Sequence, residues 1–155
     1  MHFSTVNLFA ALSLTAFSQA AILPRQSDID QWLDAHNEVR AQHNAEPLTW
    51  NNQVAATAQS WADQCTMEHS GGQYGENLAW GGGSFPIPAA VKLWADEVSE
   101  YDPNNPQYSH FTQVVWKSTT ELGCAVADCS GTTYHVCSYN PPGNVIGQFP
   151  ENVEV

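Results

Sequence analysis

Apolar positions recur along this chain first at helical spacing and then at strand spacing. Residues 6–17 (VNLFAALSLTAF) form an apolar run, followed by Ser18-Gln19-Ala20. The run is too short to span a bilayer. With its small-x-small ending it reads as a secretory signal peptide over residues 1–20, with 21–27 as a short tail. From Ser27 onward Ile29, Trp32, Leu33, His36 and Val39 share one helical face. Asp30, three residues after Ser27, gives that helix a capping-box-like start, and Pro47 ends it. After Asn51 and Asn52, a second helix carries Val54, Ala58, Trp61, Ala62 and Cys65 on one stripe. A third is predicted from about Pro88, with Ala90, Val91, Trp94, Val98 and Tyr101 inward, until the Asp/Asn/Pro run of residues 102–106. The Gly-rich residues 66–84 read as a connection too irregular to be regular structure throughout. Three β-rich segments then follow, at residues 111–116, 122–128 and 134–139. Helices first and strands last predict an α+β domain with helices packed on a sheet.

Composition narrows the function classes. At 155 residues the chain is long enough for one domain, and a hydrophobic share of 43% excludes a disordered one. Sixteen acidic residues face only Arg25, Arg40, Lys92 and Lys117, for a net charge of −12. That charge repels phosphate backbones and anionic bilayers, so nucleic-acid binding and stable membrane anchoring are not expected. Six Trp, five Tyr and six Phe predict an aromatic-rich core or groove. Cys65, Cys124, Cys129 and Cys137 are an even set suited to two disulfides in an oxidising compartment, with three connectivities open. Cys124 and Cys137 fall on neighbouring predicted strands, so a bridge there closes a hairpin and leaves Cys65 for Cys129.

Four polar residues stand out as candidate chemistry: His69, Glu76, Glu97 and His110. Two imidazoles and two carboxylates can bind a divalent metal or work as acid and base. No H-E-x-x-H, no G-x-S-x-G, no phosphate loop and no unpaired cysteine accompanies them. No catalytic residue is therefore assigned, and the chain is not expected to be an enzyme.

Several separated motifs resemble one family. They are HFTQVVW at 110–116 with LGCA at 122–125, VCSYNPPGNV at 136–145, HNEVR at 36–40, PLTW at 47–50, AQSWA at 58–62 and GENLA at 75–79. Together they resemble the CAP superfamily: cysteine-rich secretory, antigen-five and pathogenesis-related-one proteins. The likeness runs over residues 28–150, leaving 151–155 as a tail. It implies a three-layer α-β-α sandwich with a central antiparallel sheet. It also implies that His69, Glu76, Glu97 and His110 meet at a solvent-open cavity able to hold zinc or another divalent ion not required for the fold, with Asn77 and Gln113 orienting them. The segment 101–108 aligns with the loop that similar proteins use to bind sterols, which makes Tyr101, Tyr108 and Phe111 candidate lipid contacts. Flat aromatic faces with polar rims suit such a ligand. At about −0.3 kcal/mol per heavy atom, a sterol of roughly 28 atoms gains about 8 kcal/mol, near micromolar affinity. Gln107-Tyr108-Ser109 stand where many plant members carry a cysteine, so this loop lacks that tether.

The expectation is a secreted carrier of a sterol or fatty acid. Two other readings stay open. The segment 137–150 resembles the precursor of a signalling peptide, although Glu151 stands where such precursors carry Tyr. Alternatively, two His and one Glu hold zinc while the other Glu activates water, as in a peptidase.

Overall fold

The computed structural model describes residues 25–155, so the signal peptide and residues 21–24 of the expected tail lie outside the described residues. The elements run α1 (Gln26–Gln42), β1 (Thr49–Trp50), α2 (Asn52–Ala62), β2 (Gly75–Gly82) and α3 (Ile87–Ala95), which continues as a 3₁₀ turn, Asp96–Glu100. Then come α4 (His110–Val114), β3 (Glu121–Cys129), β4 (Thr132–Asn140) and α5 (Phe149–Asn152). The sheet order is β1-β3-β4-β2, antiparallel except that the two-residue β1 lies parallel to β3.

Side chains alternate across a strand, and that alternation builds the layers. Tyr134 and Val136 of β4, Ala125 of β3 and Leu78 of β2 join Ala58 and Ala62 of α2 in one apolar cluster. Cys137 and Tyr139 of β4, with Leu122 and Cys124 of β3, point the other way, into a larger cluster with Trp32, Val91, Trp94 and Phe111. One face of the sheet thus carries α2, and the other carries α1, α3 and α4. The architecture is the expected α-β-α sandwich. Gly123 makes the first layer tight: a Cβ there would lie 2.1 Å from the backbone nitrogen of Ala55 on α2. Cys65 is bonded to Cys129 and Cys124 to Cys137; the second pair directly opposes across β3 and β4.

Three local expectations are corrected. Helix α1 begins at Gln26 behind Arg25, with no side-chain cap, so Ser27 and Asp30 form no capping box. Within residues 66–84, where no strand is predicted, β2 pairs with β4 along its whole length. Its Gly and Ala hide the period-two pattern, and as an edge strand it tolerates them. Residues 111–116 are not a strand: the aromatic and β-branched HFTQVVW forms the short helix α4 and the turn after it. Ser109 accepts from the Thr112 amide while its own amide donates to Thr112 Oγ1, a capping box that overrides strand propensity. The fold also runs past residue 150, because Asn152 and Val153 are buried and Asn152 Oδ1 accepts from the Ser118 amide.

The core-facing stripe of α1 is Trp32, His36 and Arg40, so two polar side chains sit inside. His36 donates from Nδ1 to the Trp32 carbonyl at 2.8 Å and accepts at Nε2 from the Tyr139 hydroxyl at 2.9 Å. Burial pushes its pKa down from 6.5 to about 4. The unfolded chain therefore binds a proton that the folded chain refuses between those two values, and stability must fall as pH drops through that window. The full difference is about 3 kcal/mol, an order-of-magnitude figure from 1.36 kcal/mol per unit. Urea titrations at pH 7 and pH 4.5 should show this loss, and His36→Gln should flatten the slope. An unchanged slope in a folded His36→Gln would remove His36 as its source.

Candidate functional site

The four candidate residues come from different layers and meet around the free edge of β2. His69 lies in the segment between α2 and β2, and Glu76 on β2 itself. Glu97 lies on the 3₁₀ turn rather than on α3, and His110 opens α4 rather than a strand. Glu76, Asn77, Glu97, Glu100 and both histidines line one cavity of about 370 Å³.

Within it the residues form two imidazole–carboxylate pairs. His69 Nδ1 lies 2.8 Å from Glu76 Oε1, which also accepts from the Ser70 amide at 2.9 Å. His110 Nδ1 lies 2.6 Å from Glu97 Oε1. Glu97 Oε2 accepts from the amides of His110 at 2.7 Å and Phe111 at 3.3 Å. A carboxylate only accepts, so each neutral ring carries its proton on Nδ1 and leaves Nε2 as a bare lone pair. Among the described residues neither Nε2 has a hydrogen-bond partner. This is the carboxylate–histidine arrangement that fixes a ring's tautomer and raises its basicity toward an ion. The donor set suits a soft or borderline divalent cation held by two imidazoles, with water completing its shell. Among the described residues no group of three or more His, Cys, Asp or Glu converges to hold an ion.

Two residues were expected to orient the four. Asn77 does contact the site, since its Nδ2 donates to the His110 carbonyl at 3.0 Å and to the Tyr139 hydroxyl at 3.2 Å. Gln113 is placed elsewhere: its Oε1 accepts from the Gly143 amide and its Nε2 donates to Thr119 Oγ1. It braces the 141–144 turn against α4 and makes no hydrogen bond to any of the four.

The lipid candidates separate. Tyr108 is 70% exposed, whereas Phe111 is 0% exposed and belongs to the core. Phe111 therefore has no face to offer a ligand, because α4 packs it into the core. Tyr101 is half-buried, with its ring centroid 6.2 Å from that of Phe111. Tyr108 lines a cleft of about 370 Å³ with Pro106, Gln107, Ile146, Gly147, Phe149 and Pro150. Ile146, 86% exposed, is the apolar residue that reading the sequence missed. Its signal was the β-branched apolar pair Val145-Ile146 in a Pro/Gly-rich turn.

The match to known proteins covers most of the chain. The family model described as the cysteine-rich secretory protein family, CAP, matches residues 33–139. Pathogenesis-related protein 1C of Nicotiana tabacum is 46% identical over 159 aligned residues, spanning 95% of this chain and 90% of that one. Secreted protein RBT4 of Candida albicans is 48% identical over 133 residues, 78% of this chain and 37% of its own. Among solved structures, one described as NaASP2 with Zn2+ superposes with a TM-score of 0.70 at 26% identity, over 83% of this chain and 86% of that chain.

Proposed function

The chain belongs to the cysteine-rich secretory protein (CAP) family, and on that premise we propose that it is an exported carrier of small hydrophobic molecules, a sterol or a fatty acid. The observation that carries this reading is the cleft between the 101–109 loop and the 145–150 turn, where Tyr108 and Ile146 stand open to solvent. A rigid apolar ligand would cover both side chains. Export is supported by two disulfides, which need an oxidising compartment, and by a relative whose name calls it secreted. Among the described residues no helix is long and apolar enough to cross a membrane. A net charge of −12 keeps a lipid carrier soluble and off anionic bilayers.

The His/Glu cavity is a second binding place in this reading, not a catalytic one. A divalent ion there would be held by His69 and His110 through Nε2, with Glu76 and Glu97 fixing the rings. The zinc named for the NaASP2 structure supports that assignment.

One set of variants tests both parts. Burying an exposed apolar side chain is worth about 1.5–3 kcal/mol, so Tyr108→Ala/Ile146→Ser should weaken binding of radiolabelled cholesterol at least tenfold. Both positions are exposed, so circular dichroism should stay unchanged. No saturable binding of cholesterol or palmitate by the wild type would end the carrier reading, and unaltered binding by the double variant would end its placement. In zinc calorimetry, heats that survive His69→Ala/His110→Ala would remove the metal from this cavity.

A further inference from the structure

The cavity around β2 does not end at the two histidines. His69 and His110 also line a second cavity, of about 460 Å³, walled by Met67, Leu78, Trp80 and Leu93. Trp80 is 51% exposed and Leu93 54% exposed, although both are large and apolar. An apolar slot and a polar chamber thus share two walls. The shape suits one amphiphile, with its tail on Trp80 and Leu93 and its head between the imidazoles.

The chemistry of the chamber selects the head. Glu76, Glu97 and Glu100 line it, Glu68 stands at the slot, and no Lys or Arg lines either cavity. The four cations of the chain are all placed elsewhere. Arg25 pairs with Asp28, Lys92 with Asp96 and Lys117 with Glu154, while Arg40 is buried among carbonyls. The tautomers set by Glu76 and Glu97 make each free Nε2 an acceptor as well. The Nδ2 donor of Asn77 is spent on the His110 carbonyl and the Tyr139 hydroxyl. A carboxylate head could meet the Tyr108 hydroxyl, which also lines the chamber, but would face three carboxylates and no cation. An ammonium carries three donors, no acceptor and a positive charge.

From this we propose that the paired cavities bind a long-chain primary amine, its ammonium held by the Glu/His chamber and its alkyl chain in the Trp80/Leu93 slot. The chamber shares Tyr108 with the Tyr108/Ile146 cleft, but the proposal does not rest on ligand binding in that cleft.

The test is calorimetric titration, below micellar concentration and in EDTA, with dodecylamine, dodecanol and dodecanoate. Dodecylamine should bind one equivalent, at least tenfold more tightly than dodecanoate. Leu93→Asn and Trp80→Ser, both at exposed positions, should each weaken it at least fivefold. Glu68→Gln/Glu100→Gln should weaken the amine and leave dodecanol unchanged, which separates charge from packing. Val126→Ser, an exposed apolar position outside both cavities, should change nothing. Equal affinity for amine and carboxylate, or amine binding indifferent to Leu93→Asn and Trp80→Ser, would overturn the proposal. If the amine fails to bind while cholesterol still does, this site alone is refuted and the carrier reading stands.

Discussion

Replacing Arg40 with Met is expected to lower the unfolding free energy by about 4 kcal/mol, the largest effect of any single side chain here. The guanidinium is 0% exposed and, although the Glu46 carboxylate lies near enough to act on it, forms no salt bridge among the described residues. It donates instead to four carbonyls: Glu46 at 2.7 Å, Val114 and Trp116 at 2.9 Å each, and Thr119 at 3.0 Å. Burial pushes its pKa down to about 10, so it remains charged at neutral pH. Met matches much of the side chain's volume but returns no donor. Four acceptors then lose their partners at once, and each buried unsatisfied group costs about 1–3 kcal/mol before relaxation. Three of the four carbonyls follow His110 in the chain, so the loss falls on the segment that anchors α4. Arg40→Lys should recover only part, because an ammonium is a point donor without the planar fork. Urea denaturation measures both. A loss below about 1 kcal/mol for Arg40→Met would show that those carbonyls find other partners.

Removing the Cys65–Cys129 bridge should come next, at roughly 4 kcal/mol in the loop-entropy model. The bridge spans 64 residues, against 13 for Cys124–Cys137, for which the same model gives roughly 3 kcal/mol. It ties the chain just past α2 to the end of β3, and the residues it fixes include Met67, Glu68 and His69. Cys65 and Met67 both have φ of 53°, a left-handed backbone that is held there by its surroundings. Side-chain bonds from Trp61 Nε1 to the Glu68 carbonyl at 2.7 Å, and from the His69 ring and the Ser70 amide to Glu76, add to that hold. Cys65→Ser/Cys129→Ser should lower the midpoint of thermal unfolding by roughly 10 °C. Amide exchange over residues 66–70 should speed up more than exchange in β4. Equal midpoints for this variant and Cys124→Ser/Cys137→Ser would contradict the dependence on loop length. Exchange unchanged at 66–70 would show that the wall of the cavity stands without the bridge.

Helices α1, α2 and α3 and strands β3 and β4 were legible in the sequence because their apolar period is a local property. Residues such as Trp32, Val54 and Trp94 report it without reference to the rest of the chain. Membership of the CAP family was legible too, because its motifs are short and ordered. Other features had no local signature. Strand β2 is rich in Gly and becomes a strand by pairing with β4. Helix α4 has strand-forming residues and is held by Ser109 and by Glu97, thirteen positions before His110. That reversal turns Phe111 inward, while Ile146 is left outside by the turn after β4. The four polar residues could be named from the chain, but their pairing as His69 with Glu76 and His110 with Glu97 depends on where β2 ends the sheet. One pair approaches from the α2 side of that edge and the other from the α3 and α4 side. The Trp80/Leu93 slot lies across the same edge. Periodicity records how a residue sits relative to its near neighbours. Burial, hydrogen-bond partners and the joining of two cavities are set by residues far apart in sequence, and only the packed tertiary structure brings those together.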